Sequence, residues 1–387
     1  WLAEDLGGDQ KSTKRWVRVL DKIFNRKSNI DLALENIVPT DFIELIKAHF
    51  FDLLIIDMEL HEYIIAALKS KSKILLLSQW FSIYPQKGLP YILTDIIPGQ
   101  GIKGSSLAMQ INWWKVQVNR KWTSFRRNLT SGGTLRPQMI KRYARKVGIS
   151  SHLKGANLWP GPFLFNKLPI VSMNAKEMDF PHENRPNYYY VGPMVYENRK
   201  ENIPEDLKSN IDLQKSKGKK IIYCSVSTLS KTGPTFIQRL INVFISEPDW
   251  LGIISLGGKM DVNSLTNITE NVILLKTAPQ LYCLSHSDLS INHGGIHTIN
   301  ECLHFKVPML VYSGKKSDQN GCAARVHFHE LGLMGDKDKD AEKAISYRIH
   351  HILNNEKYKK RIEQIHEACN LYHDKKTLEG IVNEYLG

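Results

Sequence analysis

Cysteine is scarce in this chain of 387 residues. The five present, Cys224, Cys283, Cys302, Cys322 and Cys369, are scattered, odd in number and without a C-x-x-C pair. That argues against a disulfide framework and for reduced thiols of the cytoplasm. No apolar stretch approaches the length of a membrane span. The opening Trp1-Leu2-Ala3-Glu4-Asp5 is neither an initiator methionine nor a signal-peptide pattern. Metal-ligand spacing is missing as well. His286, His304, His327 and His329 do not pair with the cysteines, and residues 336–340 lack the glycine and terminal glutamate of a calcium loop. Acidic residues fall short, 39 against 52 Lys and Arg, leaving a net charge of +13 that calls for a negative partner or surface. No nucleic-acid-binding module or basic–aromatic binding motif accompanies the charge, so nucleic acid is not the expected partner.

With 42% hydrophobic and 24% charged residues, the composition is that of a soluble globular protein, and the length suits two domains. Apolar runs at residues 51–57 and 73–78 read as strands buried on both faces, as parallel strands are, and 169–172 and 188–193 read as the last strands of the first domain. Residues 61–70 suit a crossover helix of a βαβ unit. The polar residues 197–219 read as a linker. Strands then resume at residues 220–224, 250–255, 271–275, 289–292 and 309–312, most separated by helical patterns. The spacing predicts an α/β chain: a first Rossmann-like domain over 1–196, a linker over 197–219, and a second such domain over 220–387 that includes the C-terminal helices.

One segment carries most of the functional information. After the apolar run 289–292, His293-Gly294-Gly295 lets the backbone turn into a helical pattern that begins at Ile296. A strand–Gly-Gly–helix junction presents unpaired N–H groups that can hold phosphate. Thr298 adds a hydroxyl and His293 a ring nitrogen beside them. Glu301, three residues beyond Thr298 on the same helix face, can accept two sugar hydroxyls. A nucleoside diphosphate with a sugar attached fits this set.

The order Thr277-Ala278-Pro279-Gln280, His293-Gly294-Gly295, Thr298, Glu301, Pro308, Asp318-Gln319 resembles the donor signature of the UDP-glycosyltransferase family, of the bacterial macrolide-glycosyltransferase type. The resemblance is tight over residues 277–326 and looser elsewhere, where Val191-Gly192-Pro193 and Tyr223 to Thr228 resemble the end of one domain and the start of the next. It implies the GT-B fold, two Rossmann-like domains facing across a cleft. It further implies donor contacts from Thr228, Thr277, Gln280, His293, Gly294, Gly295, His297, Thr298, Glu301, Asp318 and Gln319. The implied activity is inverting, metal-independent transfer of a sugar from a nucleoside diphosphate, UDP foremost, to a hydroxyl acceptor that is a small molecule or a lipid. The nucleotide sugar is then a co-substrate, and no other cofactor is called for.

Two departures from the family pattern matter. Thr277 stands where the family has an aromatic residue that stacks on the base, which leaves base recognition to backbone contacts and Gln280. The family's catalytic histidine, expected in a Gly- and His-containing loop upstream, has no counterpart in residues 1–50, where His49 falls in a helical pattern. Asp57, at the end of the first apolar run, matches the acid that orients this histidine, and an upstream strand–loop–helix is expected to supply the base. Asp57 could instead cap the following helix. The rival to the enzyme is a GT-B protein that binds nucleotide sugar without turnover as another enzyme's partner; a nucleotide-sugar epimerase is a third reading.

Residues 111–129 hold the densest basic cluster, with Lys115, Arg120, Lys121, Arg126 and Arg127 and no acid. Ile111, Trp114, Val118, Trp122, Phe125 and Leu129 recur on one face of a helix. That stripe either packs on the first domain's own sheet, with the basic residues in water, or lies in a membrane interface as a peripheral contact.

Overall fold

The structure, a computed structural model, describes residues 26–155, 160–161, 163–165, 167–225, 234–258, 260, 264–374 and 376–387. Thr228 falls outside the described residues. Each of the nine expected strands is present; three have the expected bounds, five are shorter and the strand at 220–225 is one residue longer.

The first half builds a parallel sheet in the order β1 (Leu53–Asp57), β2 (Lys73–Ser78), β5 (Ile170–Ser172), β6 (Tyr188–Tyr190). Helices α1 (Arg26–Ile37), α2 (Thr40–Ala48), α3 (His61–Ala67), α4 (Ser106–Thr130) and α5 (Arg136–Lys146) accompany it. A two-stranded antiparallel pair, β3 (Lys154–Gly155) with β4 (Phe163–Leu164), was not expected, being too short to show periodicity. His49 is the residue that ends α2 rather than part of a loop near Asp57.

The second half forms a six-stranded parallel sheet in the order β12-β11-β10-β7-β8-β9. Its strands are β7 (Lys220–Ser225), β8 (Trp250–Ser255), β9 (Val272–Leu275), β10 (Leu289–Asn292), β11 (Met309–Val311) and β12 (Gly332–Met334). Every residue of β8, β10 and β11 is buried, which explains why these strands read as unbroken apolar runs. The chain starts at β7, winds outward to β9, then returns to the other side of β7 with β10. In such a sheet the crevice between the two oppositely wound halves, here beyond β7 and β10, is where ligands bind.

Two boundaries differ from the sequence reading. The expected linker contains a helix, α6 (Glu205–Ser216), whose Leu207 and Ile211 are buried. Surrounding charges hide this short i, i+4 apolar pair in the sequence. The last helices, assigned by sequence to the second domain, cross back. After α7 (Pro234–Ser246), α8 (Gln280–Ser285), α9 (Ile296–His304), α10 (Gln319–Phe328) and α11 (Glu342–Leu353), the long α12 (Glu356–Asp374) leads to α13 (Thr377–Leu386). There Leu378, Ile381 and Val382 pack against Leu75, Val171 and Val191 of the first sheet. Covering that sheet face, which would otherwise meet water, favours the crossing.

Candidate donor site at the switch point of the second sheet

β10 delivers His293 to the crevice, and the glycines that follow it determine the local shape. Gly294 has φ +81, and a Cβ there would lie 2.8 Å from the Gln319 carbonyl oxygen and 2.9 Å from Val311. Glycine therefore lets the start of α9 press against the start of α10, which brings residues 293–298 beside Asp318 and Gln319. The Asn292 side chain accepts the Gly294 N–H at 2.9 Å and holds the turn. α9 opens at Gly295 without a side-chain cap, as a helix end available to an anion must.

Behind the turn lies a polar network. Gln280, the first residue of α8, accepts hydrogen bonds from the Tyr223 and Ser225 hydroxyls at 3.3 Å each. Its amide nitrogen donates to Thr298 Oγ1 at 3.4 Å and to Glu301 Oε2. Both ends of Gln280 are thus engaged, and it organises Thr298 and Glu301 rather than extending toward a base as expected. Glu301 and Thr298 are buried. Thr277 is exposed near Gly258.

Two residues that the sequence reading assigned to the linker belong to this network. Arg199 donates to Glu301 Oε1 at 3.0 Å and to Glu201 Oε1 at 2.7 Å. The Glu201 carboxylate in turn accepts the Leu281 and Tyr282 N–H groups, 3.1 Å each, at the start of α8. Negative charge at a helix N-terminus is favourable. The mixed charges of Glu197, Arg199, Lys200 and Glu201 were the available signal, but nothing in one dimension links them to Glu301.

Burial lowers the proton affinity of His293, with Lys337 adding to the effect and the Ser225 backbone opposing it, so the ring is neutral near pH 7. Asp318 is buried, and burial raises its pKa against the Cys322 thiol and the Ile296 N–H, which both donate to it. Gln319 accepts the Gly314 N–H at 2.9 Å and secures the loop after β11.

The two domains meet across this site. His297 is exposed, and its Nε2 donates to Gln79 Oε1 at 3.0 Å, just past β2. The Gln79 amide nitrogen is 3.4 Å from Glu59 Oε1, which also accepts the Trp80 indole N–H at 2.6 Å. A chain of side chains thus runs from the loop after β1 to the start of α9. Asn300 donates to Asn174 at 3.1 Å in a second bridge. Gly321 sits so close to the first domain that a Cβ would lie 2.0 Å from the Ile92 carbonyl oxygen.

Asp57, at the end of β1, accepts the Glu59 N–H at 2.8 Å, a turn contact. It stands on the cleft side of the first domain, two residues from the bridge to His297. Burial raises the pKa of Glu59, opposed by the Trp80 bond and helped by the Asp57 charge. His61 lies behind, its Nδ1 2.8 Å from the Glu59 carbonyl and its Nε2 3.2 Å from that of Phe163.

A profile of the family described as "UDP-glucoronosyl and UDP-glucosyl transferase" matches residues 168–378, more than half of the chain. The chain belongs to this family. Relatives of this family member include the uncharacterized UDP-glucosyltransferase YdhE of Bacillus subtilis (strain 168), 30% identical over 161 residues, or 42% of this chain and 40% of that protein. The zeaxanthin glucosyltransferase of Pantoea ananas is 23% identical over 60% of this chain and 53% of its own length. UDP-glucuronosyltransferase 3A1 of Mus musculus is 23% identical over 91% and 67%. The matches to YdhE and to the second B. subtilis relative, YojK, span about two fifths of those proteins, 40% and 42%. Among solved structures, the glycotransferase of kitacinnamycin superposes with a TM-score of 0.66 at 15% identity, over 93% of this chain and 83% of the other. CalG4, the calicheamicin glycosyltransferase, gives 0.61 at 14%, over 98% and 82%. These likenesses establish the GT-B fold, as the resemblance implied.

The buried histidines are expected to make the fold less stable in mild acid. Burial lowers His61 from its ordinary 6.5, against the two carbonyls it faces. His329, whose Nε2 is 2.8 Å from the Asp179 carbonyl, is lowered by burial and by Arg361. Folded values below the unfolded one mean that the unfolded chain binds more protons as pH falls through 6.5, so stability drops on the acid side. Raised Glu59 and Asp318 act with the opposite sign nearer the carboxylate range, so melts should be compared just above and just below pH 6.5. A lower Tm on the acid side is expected; an equal or higher one would contradict the assignment.

Proposed function

We propose that this chain binds a nucleoside-diphosphate sugar, UDP foremost, in the crevice beyond β7 and β10, and transfers its sugar with inversion to a hydroxyl acceptor held by the first domain. The observation that carries the reading is the buried Gln280–Thr298–Glu301–Arg199 network beside the open N-terminus of α9. Glu301 spends one lone pair of each oxygen on Arg199 and Gln280 and retains two for a pair of sugar hydroxyls. The α9 N–H groups, the Thr298 hydroxyl and His293 face the place a diphosphate takes. There they stabilise the negative charge that grows on it as the glycosidic bond breaks, and the scheme calls for no divalent ion. Gln319, pressed against Gly294, and Asp318, bonded to the Ile296 N–H, border the donor sugar. Asp57 orients a histidine that removes the acceptor's proton as the hydroxyl attacks the anomeric carbon.

Calorimetric titration with UDP- and dTDP-sugars tests the donor half. Glu301→Ala and His293→Ala should each weaken binding by about 1.5–3 kcal/mol, the worth of a hydrogen bond to a charged group. Both variants should still unfold cooperatively, with a modest drop in Tm for Glu301→Ala, since Arg199 keeps Glu201 and the Gln280 amide keeps Thr298. Unchanged affinity in both variants would remove the donor site from this crevice.

A further inference from the structure

Helix α4 is held by a narrow face and turns its apolar stripe outward. Met109 and Trp113 are buried; the Trp113 indole donates to the Leu89 carbonyl at 2.8 Å, and Arg120 donates to the Tyr91 hydroxyl at 2.9 Å. On the opposite face Ile111, Trp114, Val118, Trp122, Phe125 and Leu129 are 43%, 65%, 46%, 59%, 53% and 69% exposed. Leu107, one turn earlier in line with them, is 68% exposed. Of the two readings of the stripe, packing on the domain's own sheet is thereby ruled out. A contiguous exposed apolar face of this size marks a binding surface.

The flanking charges identify the occupant. At about 100° per residue, Lys115 and Arg126 lie to one side of the stripe and Lys121 to the other, all exposed, and α4 contains no acid. A second copy of the helix would bring lysine against lysine whichever way it ran, which disfavours self-pairing. No helix among the described residues is long and apolar enough to cross a membrane. We propose that α4 is a membrane-interface helix, seating this stripe in the headgroup–acyl boundary of an anionic bilayer with Lys115, Lys121 and Arg126 on lipid phosphates. Tryptophans within an apolar stripe bordered by lysine and arginine suit that depth. The surface stands independently of the donor site and of the transfer reaction.

Co-sedimentation with vesicles of phosphatidylcholine, alone or mixed with phosphatidylglycerol, tests this on the full chain. Binding is expected to the mixed vesicles, weakening as salt rises, with a blue shift of tryptophan emission. Changing Lys115, Lys121 and Arg126 together to Gln should lower the partition coefficient roughly tenfold to a hundredfold. Trp114→Ala with Trp122→Ala should abolish the blue shift while leaving the thermal melt unchanged, because both rings are exposed. No binding to mixed vesicles, or equal binding by parent and variants, overturns the proposal. So does a concentration-dependent dimer that the tryptophan changes dissociate while vesicles are ignored.

Discussion

Arg325→Leu is expected to cost about 3–5 kcal/mol of stability, the loss typical of breaking one side of a buried ion pair. Arg325 and Asp179 have no exposed side-chain surface, and they join the two domains. Arg325 Nε and Nη2 donate to Asp179 Oδ1 at 2.8 and 2.6 Å, and Nη1 donates to the Gly321 carbonyl at 3.0 Å. The guanidinium lies 4.8 Å from the Phe81 ring centroid and 4.5 Å from that of Phe180. Removing it leaves the Asp179 carboxylate buried with only the Ser82 and Phe180 N–H groups, at 2.8 Å each. Adding Asp179→Asn should recover only part of the loss, because the amide removes the uncompensated charge but has one oxygen for two N–H donors that now bond separate oxygens. Urea unfolding of the parent, both single variants and the double variant would measure the coupling. A loss below about 1 kcal/mol for Arg325→Leu would mean that the pair does not pin the domains.

The second large effect concerns chemistry. Asp57→Asn retains a side-chain oxygen for the Glu59 N–H, so the turn after β1 should survive. If Asp57 orients a catalytic imidazole, then in the protein that carries the histidine-bearing loop losing its charge should lower kcat by roughly a hundredfold to ten-thousandfold and leave donor affinity unchanged. If it only shapes the turn, kcat should stay near the parent value. Steady-state kinetics beside donor titration separates the two cases. A parallel loss of donor affinity would place Asp57 in the binding site instead and refute the orienting role.

The neutral state of His293 and the opposed pull on Asp318 and Glu59 share one cause: each group sits where water is scarce at the facing edges of the two domains. In the proposed donor site the Thr298 hydroxyl is already placed by Gln280, which reduces the reorganisation that binding would require.

Residues 277–326 made the donor side legible because its elements follow one another along the chain: β10, the Gly-Gly turn, α9, β11 and the start of α10. Parallel strands buried on both faces are apolar runs, so the sequence alone determined both sheets' main strands and hence the α/β class. It also determined that α4 is a helix with an apolar stripe. Periodicity defines a face but not what covers it, so only the tertiary structure decided that Met109 and Trp113 point inward while Trp114 and Trp122 meet solvent. The same limit hid Arg199 and Glu201, which reach Glu301 and the start of α8 across 102 and 80 residues of chain. It hid the bridge from Gln79 to His297 and the return of α13 to the first sheet, each joining residues more than two hundred positions apart. Local propensity and burial pattern act within a turn or a strand; contacts between domains depend on how finished surfaces fit, and that fit exists only once the chain has folded.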